Sequence, residues 1–200
     1  MVLRTKKIII GVTVLILVVV VSVALISMLR MNIAPPLIED FEHDFGEWTA
    51  NADVPLDPNN PGSSVQWHIQ QSPPNISRSG SYSAEFLIDG TQDDGTIWLE
   101  RKISVLPNAQ VQITVSFFFY NQEENFNTLA AIVAYAGTAK PATEEDFSVV
   151  GTANEAAGWK NYTFNPIVNT DSSGEAYVAL GISVRWETLI VYYIDDVVID

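Results

Sequence analysis

Two apolar patterns divide the chain. Residues 8–29, "IIIGVTVLILVVVVSVALISML", form one apolar run relieved only by Gly11, Thr13, Ser22 and Ser27 and free of charge. About 20 apolar residues in a helix cross a bilayer. The run therefore predicts a single N-terminal transmembrane helix over residues 8–30, after a basic tail at 1–7. Its β-branched side chains suit a strand in water, but a strand of that length has no place in a small domain, and lipid forces intrachain hydrogen bonding. A stalk, "MNIAPP" at 31–36, follows, and its Pro pair stops the helix.

From Leu37 to Asp200 the period becomes two. Runs rich in Val, Ile, Tyr, Phe and Trp occupy 37–42, 64–70, 81–88, 96–103, 110–120, 128–137, 147–152, 159–165, 175–186 and 189–199, punctuated by Gly, Pro, Asn and Asp. These are strand signals with turns between them. That many strands in one domain bury their apolar faces by stacking two sheets. The expectation is all-β, a two-sheet antiparallel sandwich over 37–200, with 51–64, "NADVPLDPNNPGSS", read as a long loop.

Alternation assigns faces. In 110–120 the core side is Val111, Ile113, Val115, Phe117 and Phe119, opposite a side carrying Phe118 and Tyr120. In 175–186 it is Val178, Leu180, Ile182, Val184 and Trp186, with Tyr177, Ala179, Gly181, Ser183 and Arg185 on the other side. In 96–103, Ile97, Leu99 and Ile103 point inward, which turns Trp98 outward beside Glu100 and Lys102. A Trp on a polar face suits stacking on a sugar ring. Trp98, Glu100, Phe118, Tyr120, Tyr177 and Arg185 are the candidate ligand-binding surface, expected on one sheet. Trp48, Trp67, Trp159 and Trp186 are read as core or structural residues.

Charge sharpens the picture. All 24 acids lie beyond residue 30, while Arg4, Lys6, Lys7 and Arg30, four of the ten bases, flank the apolar run. The basic tail places the N-terminus in the cytoplasm, which makes the chain a single-pass plasma-membrane protein with its domain outside. A cleaved signal peptide is the competing reading, but its apolar core runs to only about 7–15 residues. The strongly acidic domain repels nucleic acid and anionic headgroups and suits cations. The chain has no cysteine, so disulfides and thiolate metal sites are excluded. Sequons at Asn75-Ile-Ser77 and Asn161-Tyr-Thr163 fit an outside location.

One stretch resists a simple strand reading. In "VYYIDDVVID" (191–200), alternation sends one of Asp195 and Asp196 to each face, so one carboxylate faces the interior and needs a positive partner. With "DFEHDFGEWT" (40–49), "SRSGSYSAEF" (77–86) and "AAGWKNYTFNP" (156–166), this ending resembles the carbohydrate-binding-module-like jelly rolls of the galactose-binding-like superfamily, over about residues 38–200. The resemblance implies a jelly-roll β-sandwich and a structural calcium ion joining the first and last strands. Carried over by position, the ion falls to Glu42, Asp195 and backbone oxygens around Ser79 to Tyr82, with Asp40 and Asp196 in reserve. Ca²⁺ takes six to eight oxygens and accepts carbonyls beside carboxylates.

Catalytic patterns are wanting. His43 and His68, the only histidines, lack any accompanying nucleophile or metal-binding spacing. The pairs Glu123/Glu124 and Glu144/Glu145 read as solvated loop acids, and 89–100 imitates an EF-hand loop without its central glycine or flanking helices. The expectation is a non-enzymatic, membrane-anchored module that binds glycans. The alternative is a structural or adhesive cell-envelope protein making protein contacts.

Overall fold

The period-two pattern becomes strands wherever it has a covered face. A computed structural model describes residues 35–89, 95–124, 129–155, 157–186 and 190–200, together with all their side chains except that of Trp186. The expected helix and basic tail, residues 1–34, lie outside the described residues; among those described, no helix is long and apolar enough to cross a membrane. Leu37–Asp200 forms one unit.

Its strands are β1 (Leu37–Glu39), β2 (Thr49–Asp53), β3 (Trp67–Gln71), β4 (Ala84–Ile88), β5 (Gly95–Ser104), β6 (Gln110–Gln112) and β7 (Val115–Asn121). They continue as β8 (Leu129–Gly137), β9 (Ser148–Thr152), β10 (Gly158–Phe164), β11 (Ile167–Asn169), β12 (Glu175–Trp186) and β13 (Val191–Ile199). One sheet runs β10-β7-β13-β4-β3, with β1 on the far part of β13; the other runs β2-β5-β12-β8-β9. A small β11-β6 ribbon stands beside them. All pairings are antiparallel.

The core lies between the two main sheets, where Phe86, Ile88, Val115, Phe117, Phe119, Tyr192 and Ile194 of the first meet Ile97, Leu99, Ile132, Val178, Leu180 and Ile182 of the second. Each is at most 3% exposed. Alternation thus assigned the inner faces of β7 and of β12 up to Val184 correctly. The expected strand 110–120 divides, because β6 leaves the first sheet to pair with β11. Within the expected loop 51–64, the first residues belong to β2, which pairs with β5.

The acidic end of β13 follows from a bulge rather than from an inward carboxylate. Asp195 pairs with Phe118 and Val198 with Ser116, so β13 spends one more residue than β7 between those pairs. Asp196 takes the extra position with φ +50°. Asp195 therefore shares the outer face with Tyr193, while Ile194, Val197 and Ile199 keep inward. The expectation that one of the two acids enters the core is corrected; Asp195 is nonetheless wholly buried, under a turn.

Candidate functional site

The segment covering Asp195 is the 77–82 turn, and its amides are the positive partner that the sequence demanded. Asp195 Oδ2 accepts the N–H groups of Arg78 at 2.7 Å and Ser79 at 3.3 Å, and Oδ1 accepts that of Asp196 at 2.8 Å. Burial pushes this carboxyl up to about 6 against the opposing pull of these amides. Glu42 Oε1 accepts Ser81 N and Tyr82 N, both at 2.7 Å, and Ser79 Oγ donates to Asp196 Oδ1 at 2.6 Å. Gly80 makes the wrap possible: at φ +62°, a Cβ there would lie 2.3 Å from the Glu42 carboxyl carbon. Consecutive N–H groups in such a turn form an anion-holding concavity.

The structure thus brings Glu42, Ser79, Tyr82, Asp195 and Asp196 together, as the resemblance implied. The donor chemistry differs. The turn offers N–H groups to the acids, whereas a calcium shell is made of oxygens. Among the described residues no three metal-ligating side chains gather. As it stands, the knot balances its acids with amides.

The expected surface around Trp98 does not exist as an exposed face. Trp98 is 0% and Glu100 2% exposed. The Trp98 indole donates to Glu100 Oε2 at 2.9 Å, Phe147 packs 5.0 Å from the Trp98 ring, and the Lys140 ammonium pairs with Glu100. Arg185 pairs with Glu144, whose amide donates to Asp53 at 2.9 Å. The segment between β8 and β9 thus lies over the outer face of β5 and β12. Gly181, directly opposite Trp98, has no room for a Cβ, which would lie 2.8 Å from Trp98 Cβ. Phe118 and Tyr120 are not neighbours of this group at all, because β7 belongs to the other sheet.

They contribute instead to an aromatic face there. Register aligns one residue per strand: Trp159 on β10 opposes Tyr120 on β7, Tyr120 opposes Tyr193 on β13, Tyr193 opposes Glu85 on β4, and Glu85 opposes Gln70 on β3. At about 4.8 Å per strand this row spans about 19 Å. Tyr120 lies 5.1 Å from the Trp159 ring and 5.8 Å from that of Tyr193. Trp159 and Tyr120 are half-exposed. One position along β7 on the same face, Phe118 carries the Arg78 guanidinium 4.7 Å above its ring.

Over the row opens a cleft of about 320 Å³, floored by Tyr120, Trp159 and Tyr193 and walled by Asn75, Ile76 and Ser77. The wall is the start of the segment whose later turn the Asp195 and Glu42 knot holds. Next to Tyr193 along the row, Glu85 is 7% exposed. Its Oε1 accepts Gln70 Nε2 at 2.7 Å and lies 3.2 Å from His68 Nε2, and the Tyr193 hydroxyl bonds the same carboxylate. Burial, then the Glu85 charge, pushes that hydroxyl up to about 12. A flat aromatic floor beside fixed polar groups can stack on the C–H face of a ring and bond its hydroxyls.

Sequence reasoning missed Trp159, Tyr193, Glu85 and Gln70 here. The signal was present for Trp159, which alternates with Asn161 and Thr163 and against the inward Tyr162 and Phe164. Trp48 and Trp67 are core residues as expected, at 5% exposure and packed against the core respectively.

No protein-family model and no curated protein matches the sequence. Solved structures do. The chain is similar to TmCBM61, determined with β-1,4-galactotriose, at 14% identity and TM-score 0.50, covering 80% of this chain and 93% of that one. It is similar to the K1 cleaved adhesin domain of Lys-gingipain from Porphyromonas gingivalis at 15% identity and TM-score 0.51, covering 84% and 98%. The CBM22-1–CBM22-2 tandem domain from Paenibacillus barcinonensis Xyn10C gives 17% identity and TM-score 0.51, covering 84% of this chain and 50% of that one. At such identities the likeness is one of fold: an antiparallel β-sandwich shared with carbohydrate-binding modules.

Proposed function

We propose that the chain is a non-catalytic glycan-binding module, and that its ligand lies across the Trp159–Tyr120–Tyr193 row. The observation that carries this reading is the half-open aromatic floor in register across three strands, ending on a buried, hydrogen-bonded carboxylate. The neighbours with carbohydrate-binding modules in their names support it. Ligand pockets pair an apolar lining with a few fixed polar groups, which is the composition here. The apolar run at 8–29 adds the proposal that the module is tethered to a membrane with its sandwich outside.

The test is a glycan array probed with the full chain in a detergent without a sugar headgroup, followed by titration of each hit. Saturable binding that Trp159→Ala weakens supports the reading, and an array without a hit removes it. An adhesive protein-binding role is the second reading, favoured by the likeness to the adhesin domain. Structural calcium at the Glu42–Asp195 turn is a separate proposal carried by the family resemblance. A rise in thermal midpoint with calcium over chelator, lost in Asp195→Ala, supports it; an unmoved midpoint leaves the amides as the whole of the knot.

A further inference from the structure

We infer that Glu85 is a specificity-determining residue that restricts the face to neutral, hydroxyl-rich glycans and turns away chains bearing carboxylates or sulfates. This rests on the reading of the aromatic row as a glycan site. Glu85 follows Tyr193 in that row, on β4, at 7% exposure. Three side chains from two flanking strands hold it: His68 and Gln70 of β3 and Tyr193 of β13. Carboxylates are rarely buried this far without such partners.

The named bonds of His68 and Gln70 both go to Oε1. The carboxylate has about four lone-pair sites in all, so capacity remains for hydroxyl donors. A sugar hydroxyl can donate to it; an ionised sugar carboxylate or a sulfate can only accept. Brought against Glu85, an acidic sugar sets two acceptors and two negative charges together in a partly desolvated place. Specificity then arises from the repulsive element as much as from the attractive one.

The basic side chains on and beside this face do not reverse the preference. His68 already faces Glu85, and Arg78 is seated on the Phe118 ring. Lys160, on the opposite side of β10 from Trp159, reaches the Glu155 carbonyl at 3.3 Å. The domain's 24 acids, Glu85 among them, add the same sign of field. The row is therefore divided in function: Trp159 and Tyr120 give ring stacking that any pyranose satisfies, and Glu85 tests the charge of what is stacked.

The experiment compares neutral oligosaccharides with uronate and sulfated oligosaccharides of equal length. It uses the full chain in a detergent lacking sugar headgroups, as wild type, Glu85→Gln and Trp159→Ala. Wild type is expected to prefer neutral chains by at least about tenfold, in line with one charge-assisted hydrogen bond. Glu85→Gln is expected to weaken neutral binding by about tenfold and to narrow the gap between classes. Trp159→Ala is expected to weaken both classes alike. Equal wild-type affinity for neutral and acidic chains overturns the inference while leaving the glycan-binding reading intact, and needs no variant to fold. So does a Glu85→Gln protein that keeps wild-type discrimination. Binding of neither class overturns the glycan reading itself, and this inference with it.

Discussion

Asp195 gives the structure a pH signature with a defined sign. Its carboxyl is wholly buried under the 77–82 turn, and burial pushes it up to about 6, against an ordinary value of 3.8 in the unfolded chain. The folded protein then holds this proton more tightly than the unfolded chain between those two values. Stability from this group rises as pH falls from about 6 towards 3.8 and is flat above that window. At 1.36 kcal/mol per unit, the gain between pH 7 and pH 4 is about 2 kcal/mol. Asp195→Asn keeps the shape and removes the titration. The assay is urea unfolding of wild type and Asp195→Asn at half-unit steps from pH 4 to pH 7.5, in chelator. The wild-type stability minus the variant's should fall by about 2 kcal/mol as pH rises from 4 to 6, and then level. A difference flat across the range, or one that grows with pH, refutes the burial argument. Growth with pH is also what a bound cation on Asp195 would produce, so repeating the series in calcium separates the two accounts of the knot.

Trp98→Ala should destabilise the domain by about 3–5 kcal/mol in chemical denaturation, the usual cost of emptying a buried Trp site. At a temperature where the variant remains folded, it should leave glycan affinity within about twofold, because its face is covered by the 138–147 segment; loss of affinity with retained stability would count against this. Gly80→Ala should cost about 2 kcal/mol or more, since φ is +62° and a Cβ lands 2.3 Å from the Glu42 carboxyl carbon. A neutral Gly80→Ala substitution, measured by thermal midpoint, would show that the turn does not hold Glu42 as described.

The sandwich was legible in the sequence because one buried face per strand imposes period two, and the inner residues of β7, β12 and β13 up to Ile194 follow it. The limits were physical. Alternation tells which side a residue takes, not whether that side is later covered. Trp98 was rightly turned outward, yet the β8–β9 segment folds back over it, and its only local hint was Gly181, which lies opposite in a strand about eighty residues away. Nor does alternation say which sheet a strand joins, so Phe118 and Tyr120 were grouped with Trp98 although the core separates them. The doubled acid at 195–196 breaks the period because a single bulge residue is inserted there, which alternation alone does not foresee. The residues that the resemblance named, Glu42, Ser79, Tyr82 and Asp195, meet at one turn, whose amides face the acids through contacts between segments far apart in the chain. The aromatic row itself emerges only from register, a property of five paired strands that no single stretch contains.

A two-dimensional ¹H–¹⁵N spectrum of the five tryptophan indoles, followed during titration with the glycan that binds best on the array, tells the two outer faces apart. Single Trp→Phe variants assign the signals. The Trp159 indole should shift saturably while the Trp98 indole, buried and bonded to Glu100, stays in place. A Trp98 shift without a Trp159 shift, or no indole shift at saturation, would contradict a ligand lying across the Trp159 row.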